Sequence, residues 1–248
     1  MTQDPRASTA AAYTGATAAQ AAAATSAPEP IRPPDLIETM RVEPGGLLPL
    51  QDLHLQRLQR SSAALGYPCP DETSLRAEMA QAVAGLDRSA RWRLRLLLAA
   101  DGSLSLESTP LSAPRTPLSI VVQGQRLRGA ASWLQHKTTH RPWYEDATRW
   151  LTAHPDVFDV LYWNEDERMC EGSRSNLYMK TQSGRWLTPP LSAGVLPGVQ
   201  RQALLQAGLV EEAVIHRDDF LQAPAIRISN ALRGWCDAII HDHGRASG

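Results

Sequence analysis

Arg91-Trp92-Arg93-Leu94-Arg95-Leu96 alternates strictly between basic and apolar side chains over most of its length. A period of two belongs to a β-strand with one face on a core and the other toward water. This strand organises the reading on either side of it. Beyond it, Asp101-Gly102 marks a hairpin turn, and Leu104 and Leu106 continue a returning strand. Ahead of it, Leu36-Ile37-Glu38-Thr39-Met40-Arg41-Val42 alternates again and runs into the turn Pro44-Gly45-Gly46. Between the two, Leu55, Leu58 and Leu65 fall on a helical period that stops at Gly66. A second helix starts at an Asp71 cap and aligns Leu75, Met79, Val83 and Leu86 on one face. Leu118 to Val122, directly after Pro117, is expected to add another strand. Residues 31–122 are therefore predicted to form a domain with an antiparallel sheet and two helices packed on it.

Residues 123–133 read as an interdomain linker, polar and glycine-containing. The second domain, 134–248, opens with a helix near Pro142 to Ala153. Short strands follow at Val157 to Trp163, Ser175 to Met179, Trp186 to Thr188 and Ala225 to Ile228, with a helix from Val199 to Ala207. Two halves that mix α and β, an α+β or α/β class, offer a cleft between them for a small molecule. Residues 1–30 are rich in Ala and Thr and lack both a core-forming pattern and a secretory signal, so a disordered leader is expected, with an organellar transit peptide as the weaker alternative.

The 248-residue chain carries a net charge of −1, which supplies no electrostatic footprint for nucleic acid or a membrane surface. Cys69, Cys170 and Cys236 are odd in number and scattered, a usage that fits the reducing cytoplasm and leaves no metal or disulfide spacing. Only two of the 25 Lys and Arg residues are lysines, Lys137 and Lys180. Coding bias accounts for scarcity, but a guanidinium cannot replace a lysine amine in covalent chemistry, so context must separate the two. Lys180 ends a strand at a turn and reads as solvated. Lys137 lies in Leu134-Gln135-His136-Lys137-Thr138-Thr139-His140-Arg141, among polar groups ahead of a helix.

Four more segments attract notice. Glu171 precedes the polar loop Gly172-Ser173-Arg174-Ser175-Asn176, which alone is an ordinary hairpin turn. Gly194 to Arg201 is a glycine-containing loop that opens a helix, whose free N–H groups form an anion site. Ser229 to Gly234 follows a strand and reads equally as a strand-end turn. His54 and Arg57 share one side of a helix, for which a solvated face is the usual explanation.

Six motifs in this order, LIETMRV, HLQRLQRSSAALG, LQHKTTHRPWYE, EGSRSNLY, TPPLSAGVLPGVQR and ISNALRG, carry a family resemblance over about residues 35–240. The chain resembles the class IV, branched-chain type, pyridoxal-phosphate enzymes, and within them looks most like aminodeoxychorismate lyase in the form fused behind aminodeoxychorismate synthase. The resemblance implies the two-domain class IV fold, with an antiparallel-sheet first domain and a barrel-like second. It implies pyridoxal 5'-phosphate held covalently by Lys137, which then serves as the proton-transfer base. Glu171 would face the pyridine nitrogen and Arg57 the phosphate, with the backbone of Val199 and Gln200 capping that phosphate and Asn230 and Ala231 completing the cup. Thr39, Arg41 and Arg233 are the candidates for the substrate's carboxylates and leaving oxygen. Arg141 either faces the cofactor or caps a helix.

The implied reaction converts 4-amino-4-deoxychorismate to 4-aminobenzoate and pyruvate for folate biosynthesis. A class IV transaminase of branched-chain or D-amino acids is the alternative, and a non-catalytic ligand-binding protein the second. A homodimer is expected by analogy, as is association with a synthase in the pathway; this chain is read as standing without a fused one. The leader and Gln123 to Ser132 depart from the family pattern.

Overall fold

The alternating stretch sits at the centre of a three-stranded antiparallel sheet. Its strands are β1 (Leu36–Val42), β2 (Trp92–Leu98) and β3 (Leu104–Pro110), with β2 in the middle. Helices α1 (Gln51–Leu65) and α2 (Glu72–Ala84) cover one face. The cap expected at Asp71 is present, its carboxylate accepting the Ser74 N–H at 3.0 Å. Gly66 closes α1 at φ 71°, a left-handed value that glycine reaches without a Cβ penalty. Leu36, Met40 and Val42 of β1 meet Leu94, Leu96 and Leu98 of β2, and Leu55, Leu58, Leu75 and Met79 from the helices complete the core. Burial of each such side chain contributes roughly 1.5–3 kcal/mol. On the other face Thr39 pairs with Arg95 and Arg41 with Arg93. These arginines are half-buried instead of turned fully to water.

The computed structural model describes residues 33–113, 115–126 and 131–241. The leader expected at 1–30 and the centre of the linker, 127–130, lie outside them. The described residues fall in one compact unit.

The second sheet has eight strands: β4 (Leu118–Arg126), β5 (Asp159–Trp163), β6 (Met169–Gly172), β7 (Asn176–Lys180), β8 (Trp186–Thr188), β9 (Glu211–Glu212), β10 (Ile226–Asn230) and β11 (Gly234–Ile240). Their spatial order is β6-β5-β4-β11-β10-β7-β8-β9, with parallel pairs at β4–β5, β4–β11 and β8–β9. Four helices accompany it: α3 (Ala131–Leu134), α4 (Glu145–Ala153), α5 (Val199–Gln206) and α6 (Arg217–Leu221).

One sequence expectation changes here. The strand predicted at Leu118 to Val122 does not extend the first sheet; it runs on to Arg126 and lies between β5 and β11. Leu118 and Ile120 join one core cluster while Val121 joins another on the opposite face. A strand apolar on both faces is stable in the middle of a covered parallel pair, not at the solvated edge of a hairpin sheet. β6 escapes a periodicity reading for a related reason: it is four residues long and buried throughout, so it has no alternation to detect.

The free edge of β1 takes up the lysine segment. The Ile37 N–H donates to the Lys137 carbonyl at 2.8 Å, the Thr139 N–H to the Asp35 carbonyl at 2.9 Å, and Leu36 bridges Thr138. Lys137 is thereby pinned beside the first strand.

Candidate active site

A cleft of about 290 Å³ opens where β1, α1, the lysine segment, the β6–β7 turn, the start of α5 and the β10–β11 turn converge. Of the residues singled out from sequence, Thr39, Arg57, Lys137, Arg141, Glu171, Val199, Asn230, Ala231 and Arg233 line it. Gln200 stands behind Val199 in the first turn of α5, and only its backbone N–H shares the helix end. Arg41 is not brought to the cleft. Its Nη1 donates to the Leu232 carbonyl at 3.2 Å and its Nε pairs with Glu43 at 2.8 Å, so it braces the β10–β11 turn from outside.

The polar side of α1 is not a solvated face. His54 and Arg57 are 1% and 5% exposed, and both turn onto Glu38, which projects from the core face of β1. Arg57 donates through Nε to Glu38 Oε1 at 2.8 Å and through Nη2 to Oε2 at 2.6 Å, while His54 Nδ1 meets Oε2 at 2.6 Å. Burial works against the Glu38 charge, but Arg57 and His54 overcome it and hold the carboxyl down at about 2. The Arg57 fork expected to grip a phosphate is therefore closed on Glu38. What it offers the cleft is its Nη1 side, close to the Pro197 carbonyl at 3.4 Å.

Glu171 ends β6 on the opposite wall, 3% exposed. Its Oε1 accepts the Tyr144 hydroxyl at 2.6 Å, and its Oε2 accepts the Leu196 N–H at 2.9 Å and Asn176 Nδ2 at 3.4 Å. Among the described residues no cation is in contact with it, and burial pushes its carboxyl up to about 7 despite Tyr144, the charge of Arg141 and the Leu196 N–H. Lys137 stands between the two walls. Burial, then the positive charges of Arg141 and Arg57, press its amine down to about 7 against the pull of Glu38 and Glu171. An ordinary lysine is protonated at neutral pH; this one exists substantially as the nucleophilic free amine.

The turn after Glu171 is held from beneath. Asp159, fully buried on β5, accepts the Ser173 hydroxyl at 2.6 Å, the Ser175 hydroxyl and the Arg174 N–H at 3.2 Å. A Cβ on Gly172 would lie 2.1 Å from Asp159 Oδ2, so only glycine lets the turn close on that carboxylate. Gly198 plays the same part at the start of α5, where a Cβ would lie 1.9 Å from Asn176 Oδ1. The side chain of Asn230 is spent inside its own turn, accepting the Leu232 and Arg233 N–H groups and donating to the Arg174 carbonyl at 3.1 Å. Arg233 donates through Nη1 to the Ser112 carbonyl. Arg141 lies with its guanidinium carbon 4.4 Å from the centre of the Tyr144 ring, so it faces the cleft beside Glu171 and does not cap the helix.

Glu38, Tyr144, Asp159 and Asn176 were not assigned roles from sequence. Two of them left a signal: Glu38 has the parity of Leu36 and Met40 in an alternating strand, and Asp159 is the one acid in Val157 to Trp163. A charge at a core position calls for a buried partner.

The residues present suit pyridoxal phosphate. A desolvated lysine amine, a buried carboxylate lacking a cationic partner, and an anion-binding helix start beside Arg57 match its aldehyde, protonated ring nitrogen and phosphate in turn.

Comparison with known proteins gives the same picture. The amino-transferase class IV family profile matches residues 35–238. A provisionally named aminodeoxychorismate lyase from Schizosaccharomyces pombe is 24% identical over 201 residues, 79% of this chain and 85% of that protein. The crystal structure of a provisionally named amino-acid aminotransferase from Mesorhizobium loti is 34% identical, covers 84% of this chain and 100% of its own, and superposes with a TM-score of 0.76. A hypothetical aminotransferase from Mycobacterium tuberculosis in its PLP-bound form shares the fold at 21% identity, 83% and 81% coverage and a TM-score of 0.67.

Proposed function

We propose that this chain, which belongs to the class IV aminotransferase family, is a pyridoxal 5'-phosphate enzyme that converts 4-amino-4-deoxychorismate to 4-aminobenzoate and pyruvate. The observation that carries the reading is the placement of Lys137 and Glu171 in one cleft, the amine brought down to about 7 and the carboxylate short of a cation. Neither is needed by a protein that merely binds a ligand, which argues against the non-catalytic alternative.

When bound, the cofactor supplies an electron sink for charge left at a carbon that loses its proton. Everything else falls to the chain. Lys137 would anchor the cofactor, and its amine would take the proton from the ring carbon that bears the substrate amine. Glu171, its two oxygens fixed by Tyr144, Asn176 and the Leu196 N–H, would keep the pyridine nitrogen protonated. Arg57, the Val199 and Gln200 N–H groups and the Asn230–Ala231 turn would hold the phosphate. Thr39, in the cleft wall, donates a proton to the departing ether oxygen. A C–H and a C–O bond break, the ring becomes aromatic, and the enol of pyruvate leaves; no oxidant or water is consumed.

The six motifs and the Schizosaccharomyces pombe relative support the lyase. The Mesorhizobium loti relative, named as an aminotransferase and more similar in sequence, favours the second reading, a transaminase on the same machinery. The proposal places the enzyme in the cytoplasm as a homodimer, acting after aminodeoxychorismate synthase. Purified protein loaded with cofactor and given aminodeoxychorismate is expected to release 4-aminobenzoate and pyruvate in equal amounts with no oxo acid present. Turnover only with an amino acid plus 2-oxoglutarate would replace the lyase by the transaminase.

A further inference from the structure

Resting on the lyase reading, we propose that Arg174 and Phe158 form a subsite in the cleft lining for a carboxylate of the substrate, which makes the enzyme selective for flat ring dicarboxylates. Arg174 occupies the middle of the turn between Glu171 and Asn176, the two side chains that define the nitrogen end of the site. Its backbone is fixed on both sides: its N–H is held by Asp159 and its carbonyl by Asn230 Nδ2. Its side chain is exposed and lines the cleft.

The guanidinium has no carboxylate within ion-pair distance among the described residues. The acid it senses, Asp159, lies buried beneath the turn and is already bonded to Ser173 and Ser175. The other cleft arginines are engaged differently. Arg57 is closed on Glu38, Arg141 stacks on Tyr144 beside Glu171, and Arg233 is tied to the Ser112 carbonyl. A guanidinium is the group that recognises a carboxylate through two parallel hydrogen bonds, and here the backbone that carries it is fixed. Phe158 lies beside it, the guanidinium carbon 6.0 Å from the ring centre, and lines the same cleft. A flat apolar face next to an unneutralised cation matches a planar ring bearing a carboxylate. An aliphatic amino acid brings a carboxylate but no flat ring, and would leave the Phe158 face unmatched.

The test is titration of the holoenzyme, followed by the absorbance of its bound cofactor, with isophthalate and with benzoate. These probes share a planar ring and differ by one carboxylate. The unmodified protein is expected to bind isophthalate at least about tenfold more tightly. Arg174→Met should abolish that preference by weakening isophthalate while leaving the cofactor absorbance as it was, and Arg174→Lys should restore part of it. Persistence of the preference in Arg174→Met overturns the subsite, and so does equal binding of the two probes by the unmodified protein. If the preference holds but no 4-aminobenzoate is released from aminodeoxychorismate, the lyase reading fails and the subsite stands.

Discussion

Two acids back the walls of the cleft, Glu38 behind Arg57 and Glu171 in the lining itself, and they look alike in sequence but behave oppositely in the fold. Glu38 and Glu171 are 2% and 3% exposed, so burial pushes both carboxyls upward. Glu38 ends at about 2 because the Arg57 fork and His54 close on it. Glu171 ends at about 7 because its partners are a hydroxyl, an amide and one backbone N–H, none of them a cation in contact with it. The first wall is electrostatically complete by itself. The second is complete only when a ligand brings a positive charge, as a protonated pyridine nitrogen does. Lys137 lies between them and is drawn toward its charged form by both, yet burial and two arginines prevail.

The sharpest way to break this contrast is at Lys137. Lys137→Arg keeps a positive charge but cannot hold the cofactor covalently, so turnover should fall below detection and the visible absorbance should be lost. Full activity in that variant would end the enzyme reading. Next in size is Glu171→Gln, expected to lower turnover on the order of 10²-fold with the fold intact, while Lys137 still carries the cofactor. Retained turnover would mean that the open wall plays no part in the chemistry.

The closed wall should answer in stability instead. Glu38→Ala leaves the Arg57 charge buried without its partner and is expected to cost about 3 kcal/mol or more in denaturant unfolding. The two acids also predict opposite pH limbs. Glu38 is depressed from an ordinary 4.5 to about 2, so its stabilisation is whole above 4.5 and is lost as pH falls toward 2. Glu171 is raised from 4.5 to about 7, so in the apoprotein it costs stability as pH rises from 4.5 through 7. Cofactor should remove the second limb and leave the first; thermal unfolding across pH with and without pyridoxal phosphate checks this. The smallest expected effect is at Lys180, half-buried at the end of β7 with its amine 6.0 Å from the Trp186 ring centre. Lys180→Arg keeps that cation over the ring and should leave turnover and stability unchanged within about 0.5 kcal/mol.

Local pattern carried much of this molecule. β1, α1, the Asp71 cap and the hairpin at Asp101-Gly102 were legible because each is specified by neighbours a few residues away. Lys137, Glu171 and the Pro197-Gly198 entry to α5 were legible for a second reason: their residue types are unusual where they stand, and their motifs occur in a recognisable order. Long-range assignments were not legible. A run such as Leu118 to Val122 is apolar whichever sheet receives it, and its place between β5 and β11 depends on partners more than 30 residues away in sequence.

The same limit applied to the charges. Amino-acid order alone established that Lys137 is the lysine to watch, since an arginine-rich chain keeps an amine there ahead of a helix and in company with Glu171. It did not establish which arginine is engaged and which is open. His54 and Arg57 read as a wet helix face until β1 delivered Glu38 beneath them, and Arg174 read as a turn residue until the cleft formed around it. Only the folded chain decided these roles, because charge pairing and desolvation are set by distances through space, which residue order along the backbone does not encode.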